Sequence, residues 1–582
     1  MDLFKENMSK CACGHLFSRH TSSGCRDSSC PCTFGTYAQT NQNPGNQLLF
    51  DPLDMMISGP QIDIEAIDKQ VQMAFPCYVK NDQSWNEIEI LWDEFHELYE
   101  KQEYKKIPGV MDKIIQIKPD DQYAYMYKAY ALDELKQYEE AIRCLNASLD
   151  IDDKFARAMH IKGIVLNNLG RYDEAITFFD KALEVDPKYW KALSNKGVSL
   201  HLLKQHSKSI QCFTQALEIN PKYWLALSNK GLALAYIQEY EESIVWFDKA
   251  LEIDPNDDFV ISDRGTSLLN LNKPEEAIVW YDKALEINPR NMLTLFNKGS
   301  ALKRLEKYDE AIVWLDKALE IDPKWIRTFV VKGGTLKKLG KYDEAIVWYD
   351  KGLEIDPKYV DLLNDKGATH HDLKKYDEAI VWYDKALEID AKHIHALYNK
   401  GNVFYELKKP EEAIVWLDKV LEIDPKHVSA LNYKGNVLMS LMKKYDEALT
   451  WYDKVLEIDP EEVGALHNKG LALSYLEKFE EAIVWLDKAL EIDPKYVSAL
   501  NYKGVILMDL KKYDEALTWY DKVLEIDPKH VYALHNKGLA LANLEKFEEA
   551  IVWYDRVLEI DPNNKNSIKS KQLAADAAKL DK

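Results

Sequence analysis

The chain has 582 residues, 46% of them hydrophobic and 30% charged, which places it outside the disordered class. Its net charge of −22, from 97 acidic and 75 basic residues, opposes long-range attraction to nucleic acid or to anionic membrane. The N-terminus carries Asp2 and no apolar stretch, so it is not a secretory signal, and no apolar run is long enough to cross a bilayer; a soluble, cytoplasmic protein is expected.

Residues 1–33 form a small head rich in Cys and His, and five of the eight cysteines fall between Cys11 and Cys32. In an intracellular chain such clustering points to metal before disulfide. Cys11, Cys13, His15, His20, Cys25, Cys30 and Cys32 offer thiolate and imidazole, zinc's structural ligands, and a tetrahedral site needs four of the seven. A segment this short and polar cannot hold a fold by apolar burial. One structural zinc is therefore expected ahead of reduced thiols, a redox switch or an iron–sulfur centre. The head resembles the small zinc knuckles attached to other modules. Residues 34–84 read as a linker, with Gly, Gln, Asn, Thr and Pro prominent from Gly35 to Asn46.

Residues 85–562 repeat themselves. The stretch NKGSALKRLEKYDEAIVWLDKALEIDPK at 297–324 recurs 34 residues later as VKGGTLKKLGKYDEAIVWYDKGLEIDPK. A period in this range marks a repeat architecture. With the Gly of "NKG" numbered position 8, Gly163 to Gly538 follow at steps of 34, except for one step of 35 between Gly435 and Gly470. The extra residue lies near Met442, between two predicted helices, where a one-residue insertion costs little. Ala129 opens the series, giving 13 clear repeats, and a degenerate fourteenth is centred on Phe95.

Each unit reads as two helices. In the second, Ala311, Trp314, Leu315 and Ala318 fall at i, i+3, i+4 and i+7, one face of a helix. Asp309 and Glu310 suit its N-terminal dipole, and Asp322-Pro323 ends it. Leu295, Gly299, Leu302, Ala311, Leu315, Ala318 and Pro323 together resemble the tetratricopeptide-repeat family. That resemblance implies an all-α fold, a right-handed superhelical solenoid of 34-residue helix-turn-helix units with a concave groove for protein or peptide partners. Departures are Asp153 and Ala391 in place of proline at position 32, and Lys or Arg at position 7 throughout. Residues 563–582, polar and alanine-rich, look like a closing helix that faces water.

Ten tryptophans at position 23, Trp246 to Trp553, lie beside the apolar stripe; filling the gap between helices is favoured over an aromatic ladder for a ligand. The position-7 lysines are expected to pack their stems and meet carboxylates rather than line a path for an acidic partner. By family resemblance the groove is lined by first-helix positions 2, 5, 6, 9, 12 and 13. This places Lys303, Arg304, Arg327, Lys337 and Lys338 on adjacent inner turns, with Asn195, Asn229 and Asn297 able to bond an extended peptide backbone. An acidic or carboxylate-bearing peptide is the expected ligand. Asn297 and Arg327 match two places of the carboxylate clamp of co-chaperone members, but Ser262 and Val331 stand where the clamp needs Lys and Arg.

His370, His371, His393 and His395 read as surface or packed residues, since no metal motif surrounds them. No P-loop, dinucleotide fingerprint or nucleophile elbow appears in either flank. The expectation is a non-catalytic scaffold for protein–protein interaction. Its alternatives are a substrate-recruiting subunit, like a glycosyltransferase-type repeat enzyme without its catalytic domain, or a nucleic-acid adaptor acting through the zinc head.

Overall fold

In the computed structural model the backbone is described for residues 83–580 and for two short antiparallel strands, His20–Thr21 and Gly24–Cys25. Apart from the backbone of His20 and Cys25, the head's expected ligands Cys11, Cys13, His15, Cys30 and Cys32 lie outside the described residues, as does most of the linker.

Every clear period is a helical hairpin. In the repeat that starts at Met292, the first helix is Met292–Arg304 and the second Tyr308–Ile321. The turn between them closes with Glu306 N–H donating to Lys303 C=O (3.1 Å) and Lys307 N–H to Leu302 C=O (3.0 Å). This bonding needs a left-handed residue, and Glu306 has φ 58°. The same conformation recurs at position 15 of every repeat from Lys136 to Glu545, although glycine fills it only at Gly170 and Gly340. The one-residue insertion falls between helices Val428–Ser440 and Tyr445–Ile458, where the turn lengthens and Lys444 N–H still reaches Leu438 C=O.

Most second helices begin with acidic residues in their first turn and end on an extended Asp or Asn; His206–Ile219 lacks the acids, and Tyr240–Leu251 ends on helical Glu252. The extended residue's side chain accepts from the backbone two residues on, as Asp322 does from Lys324 N–H at 2.9 Å. The turn survives without proline: Lys392 N–H donates to Asp390 and Lys154 N–H to Asp152, both at 3.0 Å.

The described helices form two compact units, one ending at Pro357 and the other beginning at Lys358. Within each, every described helix packs on the one before it and the one after it, which is the nearest-neighbour logic of a solenoid. The core is built by positions 20, 24 and 27, and Ala311, Leu315 and Ala318 are fully buried. Position 24 is Phe, Leu or Tyr in turn and is buried throughout, as at Phe213, Tyr383 and Leu417. The second unit closes with helix Lys565–Leu580, which packs on Phe547–Ile560 and buries Ala574 and Ser567.

The position-23 tryptophans pack against the core from its margin and are not enclosed in it. Trp314 is only half-buried, and its ring lies between two ammonium groups, Lys298 Nζ at 3.6 Å and Lys317 Nζ at 3.8 Å from the centroid. Trp348, Trp416 and Trp485 are clamped in the same way. The reason is angular. Position 24, about 100° further round the helix, points into the hairpin, which leaves position 23 at its margin. Lys298 is buried along its stem, and its ammonium pairs with Asp282 of the preceding repeat. The pairing recurs at Lys332–Asp316, Lys400–Asp384 and Lys503–Asp487. Position 7 thus joins two repeats through one cation, by an ion pair on one side and a ring face on the other.

Candidate peptide-binding face

Adjacent first helices lie side by side, and their inner positions touch. Asn297 is buried and donates its amide to Thr266 Oγ1 of the preceding first helix at 3.1 Å. Asn195 bonds His160 Nε2 at 2.8 Å, while Tyr189 Oη meets the other ring nitrogen at 3.0 Å. Burial pulls the His160 imidazole down to about 3, so the ring is neutral. Asn229 is also buried, and its amide nitrogen has no acceptor among the described residues. Further along, Asn399 donates to Asn364 at 3.0 Å, and Asn468 to Asn436 at 2.9 Å. Position 6 therefore stitches one first helix to the next, and only part of this amide row is presented outward.

The five basic residues separate into two groups. Lys303 and Arg304 occupy the last turn of Met292–Arg304, and Lys337 and Lys338 the last turn of Ile326–Lys338, where cations complement the helix dipole. Lys303 reaches toward the next first helix, its ammonium 2.9 Å from where a Cβ on Gly334 would stand. Arg304 turns back, donating Nη1–H to Leu269 C=O at 2.7 Å. Arg327 stands in the first turn of its helix, roughly 15 Å from Lys337 along the axis. Its guanidinium lies 5.7 Å from the ring centroid of buried Phe296 and 6.0 Å from that of Trp325. The structure brings Lys303, Arg304, Lys337 and Lys338 to one end of two neighbouring helices and leaves Arg327 at the other.

The inner positions of Asp258–Asn270 and Met292–Arg304 also hold polar groups not anticipated from the sequence. Asp263 is buried, and burial pushes its carboxyl well above the usual range. Asp263 Oδ1, both amide atoms of Asn270 and Ser300 Oγ have no partner among the described residues. Their spacing on positions 6, 9 and 13 was the available signal. His393 is no ligand in waiting: it caps its helix by accepting from Ala396 N–H and lies 3.2 Å from Asp361.

Models of the tetratricopeptide repeat match residues 156–189, 190–223, 224–257, 261–291, 293–324, 463–496, 497–530 and 531–564. Related models of the same repeat match 123–155 and 333–374. These are tetratricopeptide repeats. A model of anaphase-promoting complex (cyclosome) subunit 3 matches residues 372–455 within the tetratricopeptide array. No curated protein matches the chain.

The crystal structure of the APC/C hetero-tetramer Cut9–Hcn1 is 15% identical over 88% of this chain and 99% of its own, with a TM-score of 0.51. That of yeast Tom70 is 17% identical over 76% of this chain and all of its own, with a TM-score of 0.40. At such identity the likeness to Cut9–Hcn1 is one of tetratricopeptide fold. Among the described residues no helix is long and apolar enough to cross a membrane.

Proposed function

We propose that this chain is a non-catalytic scaffold that holds a protein or peptide partner along the inner first-helix face of its tetratricopeptide repeats. The observation that carries this reading is the contrast between two sets of side chains. Those that repeat, at positions 7, 20, 24 and 27, are consumed in joining helices. Those that vary, among them Lys303, Arg304, Lys337 and Lys338, collect at one edge of the inner face. A solved structure of like fold, Cut9–Hcn1, is itself a hetero-tetramer, in keeping with such a role.

At this edge the ligand is an acidic or carboxylate-bearing segment. Long-range attraction there works against the chain's net charge, so the cluster has to act locally. Changing Lys303, Arg304, Lys337 and Lys338 to Glu in the full chain should weaken capture of a Glu-rich peptide at least tenfold, or about 1.4 kcal/mol. Fluorescence anisotropy reads the change, and unaltered binding would dispose of this edge. Arg327→Glu alone should have a smaller effect, because its guanidinium stands at the opposite end of its helix.

The head is proposed to carry one structural zinc on four of Cys11, Cys13, His15, His20, Cys25, Cys30 and Cys32, a donor set suited to that ion. Elemental analysis of the purified chain should give about one zinc per molecule. Cys30→Ser with Cys32→Ser should lower that content without changing helical circular dichroism. A metal-free chain would refute the site.

A further inference from the structure

The inner face of the second unit has the opposite chemistry to the Lys303–Lys338 edge. In the six first helices between Val360 and Asn543, positions 2, 5, 6, 9, 12 and 13 contain no Lys or Arg. Asp365, Asp372, Glu406 and Asp509 stand among them. The lysines of these helices sit at position 7, against the tryptophans.

Between the carboxylates runs a row of tyrosines. Tyr433 packs edge-on to Tyr398 and to Tyr405, with ring centroids 5.8 and 5.2 Å apart, and all three remain partly exposed. Tyr405 Oη meets Ser440 Oγ at 2.9 Å, which links neighbouring first helices. Further on, Tyr475 is 52% exposed, stacks on Tyr445 at 4.9 Å and lies 3.2 Å from Tyr502 through their hydroxyls.

The acids adjoin these rings. Burial first, then Tyr398 and the charge of Glu406, hold the Tyr433 phenol far above its ordinary range. Burial, Tyr475 and Asp509 do the same for Tyr502. Asn402 and Asn501 each keep an amide oxygen with no donor among the described residues. Those oxygens are themselves buried, and what the face offers outward is anions and ring faces. Lys and Arg side chains, which carry only donors and lie well on aromatic faces, fit that combination.

We propose that this face docks an extended basic protein segment, whose Arg or Lys side chains lie across Tyr398, Tyr405 and Tyr433 and pair with Glu406 and, further along, Asp509. The inference rests on the scaffold reading of the inner face but not on the acidic ligand assigned to the first unit. Charge complementarity selects the occupant: an acidic segment, a nucleic acid or an anionic membrane meets carboxylates here with no inner cation to offset them.

The test uses the full chain and labelled peptides of alternating Arg and Ser or alternating Glu and Ser, read by fluorescence anisotropy. The basic peptide should bind, and more weakly as salt rises. Glu406→Lys with Asp509→Lys should cut its affinity about tenfold or more, and Tyr433→Leu, which changes no charge, about threefold or more. Glu412→Lys with Glu481→Lys, exposed residues at the start of second helices, makes the same change in net charge and should leave affinity intact. An equal loss in that control would reduce the attraction to net charge and overturn the proposal, as would unchanged binding in the inner variants. If the basic peptide fails to bind while the Glu peptide is held through Lys303 and its neighbours, this inference falls and the scaffold reading stands. If neither binds, both fall.

Discussion

Leu315→Ala should destabilise its repeat by about 2–5 kcal/mol, the range for truncating a buried leucine whose surroundings collapse only in part. Leu315 is fully enclosed between the two helices of its hairpin and packs with Leu295 and Phe296. Trp314→Ala, one residue away, removes a larger side chain and should still cost less than the upper part of that range, on the order of 2–3 kcal/mol. The indole is half-exposed, and what is lost is partial burial and two cation–π contacts of about 0.5–1 kcal/mol each. Repeat arrays unfold unit by unit, so the measurement is hydrogen exchange along Met292–Ile321 rather than a single melting temperature. A larger loss at Trp314 than at Leu315 would mean that the aromatic row, not position 24, carries the core.

That contrast marks the limit of what the sequence discloses. The period, the small residue at position 8 and the Ala, large, Ala series at 20, 24 and 27 are legible because each repeat restates them, and they place the hairpins. Trp314 and Leu315 are both large and apolar, and choosing between them requires the first helix, from which Lys298 reaches over the indole. The left-handed turn at position 15 is invisible for a different reason: Lys, Gln, Asn, Glu and Gly all occupy it, because backbone hydrogen bonds fix the conformation.

The inner face is legible by position and not by role. Asn297 sits on that face as its number implies, yet its amide is bonded to Thr266. Arg327 and Lys337 share a helix but stand at its two ends, a separation that counting residues along the axis supplies. The acidic, tyrosine-lined surface was available from the same positions one unit later. Asking only where cations gather hides it.

Gly333→Ala should cost about 1–3 kcal/mol, although alanine is the better helix former by about 1 kcal/mol. A Cβ at Gly333 would stand 2.3 Å from Tyr349 Cε1 and 2.7 Å from Cδ1 and Cζ. That ring is fully buried, so it cannot swing aside without moving the second helix. At Gly401 the neighbour is Leu417, whose Cγ would lie 3.2 Å away; a leucine can shift its rotamer, and Gly401→Ala should stay within about 1 kcal/mol of the parent. The chain already holds the compensated combination. Its first clear repeat has Ala129 at position 8, and the residue 16 positions on is Leu145, with both fully buried. Gly333→Ala with Tyr349→Leu recreates that pair. It should exchange more slowly across Ile326–Ile355 than Gly333→Ala alone. If the double variant is no more stable than the single one, close approach of ring and backbone is not what holds glycine at position 8.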